Sequence, residues 1–238
     1  MKIDLQKIIA EIAKAKSLQR LAHQCRNGLV KAHINHVTYV LIKPGMQFKD
    51  ALVSSTYPKE WQIRYLERSY ATIDPVFIAC RLSVMPVNWA HVRPPSSAGG
   101  AILQEAVDQG IGRTGLSVPV RGPDGTFAIA SFTAQNEHET IFDDLQFQAN
   151  LVLIAFYMHA QAASMFGLNE IKSALTPREI EIAGLIATGK TVKEVSTMLS
   201  LSISTVRFHL DNCRERLGSP TVRGAVAKAV WLGLVRAG

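Results

Sequence analysis

The chain of 238 residues carries only three cysteines, Cys25, Cys80 and Cys213, far apart and odd in number. That excludes a disulfide framework and fits a reducing compartment. With no CxxC pair, a cysteine-built zinc site is excluded too. Long apolar runs are missing: the longest, "LVLIAFYM" at 151–158, falls far short of a membrane span. The first residues, "MKIDLQKIIAEIAKAK", interleave charge with apolar residues at helical spacing, unlike a signal peptide. There is no internal repeat, no low-complexity segment and no GxSxG elbow; "GLSVP" at 115–119 lacks the closing glycine. These absences lead to the expectation of a cytoplasmic globular protein that is not an enzyme, holds no metal or cofactor, and has no membrane partner.

Apolar residues make up 47% of the chain, enough to bury a core. The formal charge of +7 suggests a polyanionic partner. It is unevenly spread: residues 175–238 hold nine Lys/Arg against five Asp/Glu. Before them apolar periodicity lapses, punctuated by Gly167 and Asn169. The expected organisation is a front domain over 1–165, a linker over 166–174 and a basic domain over 175–238.

The front domain mixes both hydrophobic periods. Residues 5–30 have helical spacing, and "INHVTYVLI" at 34–42 is β-branched and aromatic, a strand that stops at "KPG". Residues 58–69 read as a helix with Pro58 in its first turn, which sets Tyr57, Trp61 and Tyr65, four apart, along one side. "PVNW" at 86–89 is extended, and "AGGAILQEAVDQG" is a helix ending at Gly110. Residues 115–134 form a hairpin around "GPDG", and 143–164 form a long apolar helix. The fold class that follows is α+β: an α/β/α sandwich with an antiparallel sheet, followed by an all-α four-helix helix-turn-helix domain.

That second domain opens on "LTPREIEIAGLIATGK", where Thr176, Pro177 and Glu179 supply an N-cap, a first-turn proline and a capping-box glutamate. Ile180, Ile182, Ala183 and Ile186 then keep the helical period. After Gly189, Thr191 and Glu194 make a second capping box, and a tight turn leads into "STVRFHLDNCRERLG". Val206, Leu210, Cys213 and Leu217 form its inward stripe, leaving Arg207, His209, Asp211, Asn212 and Arg214 for a major groove. Ser202, Ser204 and Thr205 crowd its N-terminus, where free amides favour phosphate. Lys190 and Lys193 join them as DNA-contacting candidates.

The wording of this segment, "LTPRE", "GKT.KE", "LS.S.STV.FH" and the terminal "A…GL", closely resembles the DNA-binding domain of LuxR-type transcriptional regulators across 175–236. The resemblance implies that Arg207, Phe208 and Asp211 stand where family members reach base edges. Asp211 departs from the basic residue that some members carry. A carboxylate cannot grip guanine; it can accept from a cytosine amino group or merely repel phosphate, which leaves the sequence preference open.

The front domain resembles the same family's acyl-homoserine lactone receptor over roughly residues 20–160, through "YP..W…Y……DP", "P..W" and "G…G.S.PV.G..G". This implies pocket roles for Tyr57, Trp61, Tyr65, Asp74, Trp89 and Ser131, and architectural ones for Pro75 and Gly115. The chemistry agrees. Trp61 can donate to the ring carbonyl, Asp74 can accept from the amide N–H, and Tyr57 and Ser131 can donate to the acyl carbonyl. Trp89 can lay its face on the lactone ring. Tyr39 and Leu41, alternating on one strand, are expected to wall the tail pocket with Val76, Leu52 and Ile129; a bulky Tyr39 there would disfavour long straight tails. The family also implies a homodimer on two DNA half-sites and, for an activator, RNA polymerase as a further partner.

The residues by themselves leave blander readings open. Aromatic stripes are most often core, and a carboxylate before proline is a common helix start. "NEHETIFDD" holds His138, Glu139, Asp143 and Asp144, but their spacing matches no standard metal site. A phosphorylation-controlled receiver would need an acidic pair after its first strand, and Asp143-Asp144 comes far too late. A front half that merely dimerises is the third rival.

Overall fold

The computed structural model describes residues 3–43, 46–122, 125–134, 136–166 and 175–235, of which 136–139 by backbone alone. The chain divides into two compact units. The expected linker falls almost wholly on 167–174, outside the described residues.

In the first unit the early helical stretch is two helices, α1 (Leu5–Ala13), started by the Asp4 carboxylate accepting from Lys7 N, and α2 (Leu18–Leu29). Strand β1 (Ile34–Ile42) follows the β-branched run, and a short β2 (Leu52–Ser55), which the sequence did not announce, pairs with it. Helices α3 (Lys59–Glu67) and α4 (Pro75–Leu82) lead to the two-residue β3 (Val87–Asn88) and then to α5 (Ser97–Asp108). The hairpin is β4 (Thr114–Arg121) and β5 (Phe127–Ala134), and α6 (Leu145–Met165) closes the unit. The five strands form one antiparallel sheet in the order β2-β1-β5-β4-β3. Among the described residues no helix is long and apolar enough to cross a membrane.

Both faces of this sheet are covered, so the alternation of side chains decides which of two compartments each residue enters. Val37, Tyr39 and Leu41 of β1, with Leu116 and Val118 of β4 and Ala130 and Phe132 of β5, enter a dry core against α1, α2 and α6. The opposite face carries Thr38, Val40 and Ile129 toward α3, α4 and α5. The expectation that Tyr39 and Leu41 wall the ligand pocket is therefore overturned by one step of strand phase. The Tyr39 hydroxyl pairs with His159 Nδ1 of α6 at 2.8 Å, on the far side of the sheet. Leu52 also packs against that core. The inference drawn from Tyr39 against long tails falls with its placement.

The second unit is α7 (Pro177–Ala187), α8 (Val192–Met198), α9 (Ile203–Arg216) and α10 (Val222–Trp231) around one small core. Both capping boxes form: Thr176 N and Thr191 N each donate to the glutamate three residues on, at 2.7 Å. The turn between α8 and α9 places Ser200 in the left-handed region, at φ 52°. Ile180, one of the residues that keep the apolar period, lies on the exposed side of α7, while Glu179 is buried. Glu179 closes the cap of α7 and also meets Arg216 Nε of α9 at 3.5 Å. Glu179→Ala removes both, so it should destabilise this unit by about 1–3 kcal/mol, read from the unfolding midpoint of the purified chain.

Candidate functional site

Between the sheet and α3, α4 and α5 lies a cavity of about 160 Å³. Sites for drug-sized ligands span roughly 300–1,000 Å³, so a guest of that size must push these walls apart. Of the candidates singled out in the sequence, the structure brings Tyr57, Trp61, Tyr65, Asp74, Val76, Trp89 and Ser131 to its lining, with Ile129. Tyr57 arrives differently from expectation. The helix starts at Lys59 after Pro58 at the N-cap, so the connection from β2, not helical spacing, delivers Tyr57. Gln62 Nε2 donates to the Tyr57 carbonyl at 2.8 Å and fastens that connection to α3.

The rings form a continuous wall. Trp61 lies 6.0 Å from Tyr65 and 5.8 Å from Tyr70, ring centre to ring centre, and Tyr65 meets Tyr70 edge to face. Their polar ends separate by task. The Tyr70 hydroxyl and Arg64 both donate to Glu105 of α5 at 2.6 Å, tying α3 to α5. Those two bonds, Tyr70 first, hold the Glu105 carboxyl below its ordinary value. The Trp61 indole N–H finds no acceptor among the described residues.

Asp74 does two things at once. One oxygen accepts from Val76 N at 2.8 Å and Phe77 N at 3.3 Å, capping α4 with Pro75 in its first turn. The other accepts from the Tyr65 hydroxyl at 2.7 Å. The side chain is part of the cavity lining. Desolvation by burial raises its carboxyl above the ordinary 3.8, against the lowering effect of its three hydrogen bonds. The helix-start reading and the pocket reading of this residue are thus compatible. Burial likewise raises the Tyr57 and Tyr65 phenols well above 10, so both remain neutral donors.

Trp89 Nε1 donates to Ser117 Oγ, and Ser117 Oγ lies against Ser131 Oγ, each at 2.8 Å. Gly115 lets the indole lie close over the sheet: a Cβ there would meet the Trp89 ring and the Phe132 carbonyl at 2.9 Å. Gly115→Ala must therefore push Trp89 into the cavity. It should cost about 1–3 kcal/mol of stability, with ligand capacity falling alongside in the same melting measurement.

Sequence reasoning missed Thr38, Val40, Val53, Ser55, Phe48 and Phe77, and the far wall from α5, Ile102, Leu103 and Ala106. The spacing of Ile102 and Ala106 was the legible sign of an inward helix face. Of the acidic cluster, Asp143 accepts from Asn88 Nδ2 at 3.0 Å and Asp144 caps α6, while the side chains of His138 and Glu139 are outside the described residues. Among the described residues no group of three or more His, Cys, Asp or Glu is placed to hold a metal ion.

In the second unit, Lys190, Lys193, Ser202, Ser204, Arg207, Phe208 and Asp211 are exposed, and Thr205, Asn212 and Arg214 are half-buried. Ser202 caps α9 by accepting from Thr205 N at 3.0 Å, and its hydroxyl gathers those of Ser204 and Thr205 within 2.8 Å. Arg207, Phe208 and Asp211 share the outer face of α9. Asp211 is drawn to Arg214 Nε at 3.5 Å, and Arg214 also meets Glu215. His209, expected outward, is half-buried, and its Nδ1 has no partner among the described residues.

The autoinducer-binding domain family matches residues 17–162, and the family of bacterial regulatory proteins called luxR matches residues 173–229. The protein y4qH of Sinorhizobium fredii (strain NBRC 101917 / NGR234), designated an HTH-type transcriptional regulator, is 34% identical over 75% of this chain and 55% of its own length. The transcriptional activator protein RaiR of Rhizobium etli is 30% identical over 73% of either chain. The crystal structure of Escherichia coli SdiA superposes with a TM-score of 0.73 over 97% of each chain at 20% identity, a likeness of fold.

Proposed function

The chain belongs to the luxR family of bacterial regulatory proteins, an autoinducer-binding domain followed by a helix-turn-helix domain, and from that premise we propose that it is a cytoplasmic quorum-sensing regulator that binds an acyl-homoserine lactone. In this reading residues 1–165 receive the signal, 166–174 link, and 175–238 bind operator DNA as a homodimer. The observation that carries it is that Trp61, whose indole N–H has no acceptor among the described residues, and the carboxylate of Asp74 line the same cavity. A lactone amide presents the complements of both: carbonyl oxygens for Trp61, Tyr57 and Ser131, and an N–H for Asp74. Tyr65 steadies Asp74, Val76 is an apolar wall, and Trp89 offers its face to the ring.

The DNA contacts divide in two. Lys190, Lys193, Ser202, Ser204 and Thr205 are suited to phosphate, and Arg207, Phe208, Asp211, Asn212 and Arg214 to the groove. Support for the homodimer comes from α6, whose outer side exposes Leu145, Ala149, Leu153, Phe156 and Tyr157 at helical spacing. A second copy offering the same stripe would cover it, and two-fold symmetry suits two half-sites. If the protein activates transcription, RNA polymerase is its further partner.

The test is a melting series with N-acyl homoserine lactones of short, medium and long chain. A ligand at about a hundred times its Kd adds about 2.7 kcal/mol, which raises the midpoint of a domain this size by roughly 5–10 °C. No shift with any of them, and no such amide in extracts of the purified protein, overturns the proposal. Operator affinity should also fall steeply with salt if several phosphates are contacted.

A further inference from the structure

We infer that Ser117, which is absent from the cavity lining, sets the polarity of Ser131, which is part of it, and so selects guests that present a carbonyl-type oxygen at that point. The inference rests on the proposed lactone site and deepens it. It follows from counting protons along a fixed chain. An indole N–H can only donate, so Ser117 Oγ must accept from Trp89 at 2.8 Å. Ser117 is fully buried, so its own proton also needs an acceptor inside the protein. Two atoms compete for it. The Cys80 sulfur is a weak acceptor, and its S–H faces the Ser117 carbonyl at 4.0 Å. The hydroxyl oxygen of Ser131, at 2.8 Å, is the strong one.

Once Ser131 accepts from Ser117, its single proton is left to turn elsewhere. Among the described residues that hydroxyl has no hydrogen-bond partner other than Ser117. The proton of Ser131 therefore points into the cavity as a donor. Without Ser117, that hydroxyl is free to rotate and present a lone pair instead. The pairing depends on the β4–β5 register, which sets Ser117 directly opposite Ser131. Ser117 acts here as a positioning residue.

A double-mutant cycle tests this: affinities of the best-binding N-acyl homoserine lactone are measured for the unmutated chain, Ser117→Ala, Ser131→Ala and the double variant. Ser117→Ala should weaken binding about tenfold in the unmutated background and by less than about twofold once Ser131 is already alanine. A purely structural role would produce the same loss in both backgrounds, and that result, or no loss at all, overturns the inference. Should Ser117→Ala not be recovered folded, Ser117→Cys keeps the shape with a much weaker donor and must show the same non-additivity. If the unmutated chain binds no lactone of the series, the function proposed above fails and this inference fails with it. Binding by the unmutated chain with an additive cycle removes this inference alone.

Discussion

Asp74→Asn should lower lactone affinity by roughly tenfold to a hundredfold while leaving the unliganded protein about as stable as before. The substitution separates the two duties of this carboxylate. Asparagine is as good an N-cap as aspartate, so Val76 N and Phe77 N keep their acceptor. What changes is the second oxygen, the charged acceptor of the Tyr65 hydroxyl and, in the proposed complex, of the ligand amide, a bond with a typical value of about 1.5–3 kcal/mol. Asp74→Ala removes the cap as well and should cost about 1 kcal/mol of stability besides. Acidity is expected to mimic the asparagine. Burial has raised the folded-state carboxyl above 3.8, so its proton is bound more tightly folded than unfolded. This group's contribution to the stability of the empty protein is thus fully present below the unfolded value and is lost as pH rises through the folded one. Ligand affinity moves the opposite way, because the ionised carboxylate accepts the amide proton more strongly than the acid does: it weakens as pH falls through the folded-state value. Calorimetric titration at several pH values reads both. Unchanged affinity in Asp74→Asn would remove Asp74 from the recognition scheme.

Phe156→Glu should dissociate the proposed dimer. Phe156 is half exposed at 51% and belongs to the stripe on α6. In an isologous interface each substitution is felt twice, and burying a carboxylate adds to the lost apolar area. Together these amount to about 3–5 kcal/mol, which is roughly two to four decades in the dimerisation constant. Sedimentation equilibrium measures it, and affinity for a two-half-site operator should fall along with it. Leu82→Glu is the control: Leu82 is more exposed, at 85%, but lies at the end of α4, away from the stripe. A variant at 156 that remains as dimeric as the parent would show that the stripe has another use.

The readings that succeeded from sequence are those in which a local rule has one solution. Thr176 with Glu179, and Thr191 with Glu194, must cap helices because the free amides of a first turn have few other partners. The inward stripe of α9 is fixed by a period of 3.6 between polar neighbours. Asp74 before Pro75 announced the start of α4 for the same kind of reason.

The failures have a common cause. In β1, "VTYVLI" is apolar at both odd and even positions, since both faces of the sheet are covered, and a strand with two apolar faces carries no sign of which face meets the cavity. Tyr39 went to one side and Thr38 to the other for reasons that lie in the pairing with β5, fixed by hydrogen bonds more than eighty residues along the chain. Ser117 was invisible likewise: only its register opposite Ser131 and the indole above it give a buried hydroxyl a direction.

The amino-acid sequence alone thus determined the two-part plan and the starts of α7 and α8, because capping and helical periodicity act within a few residues. Tertiary structure alone decided which strand residues face the cavity, how Tyr57 reaches it and which hydroxyls meet across the sheet. Those choices depend on long-range pairing across a sheet buried on both sides, where the local pattern is degenerate.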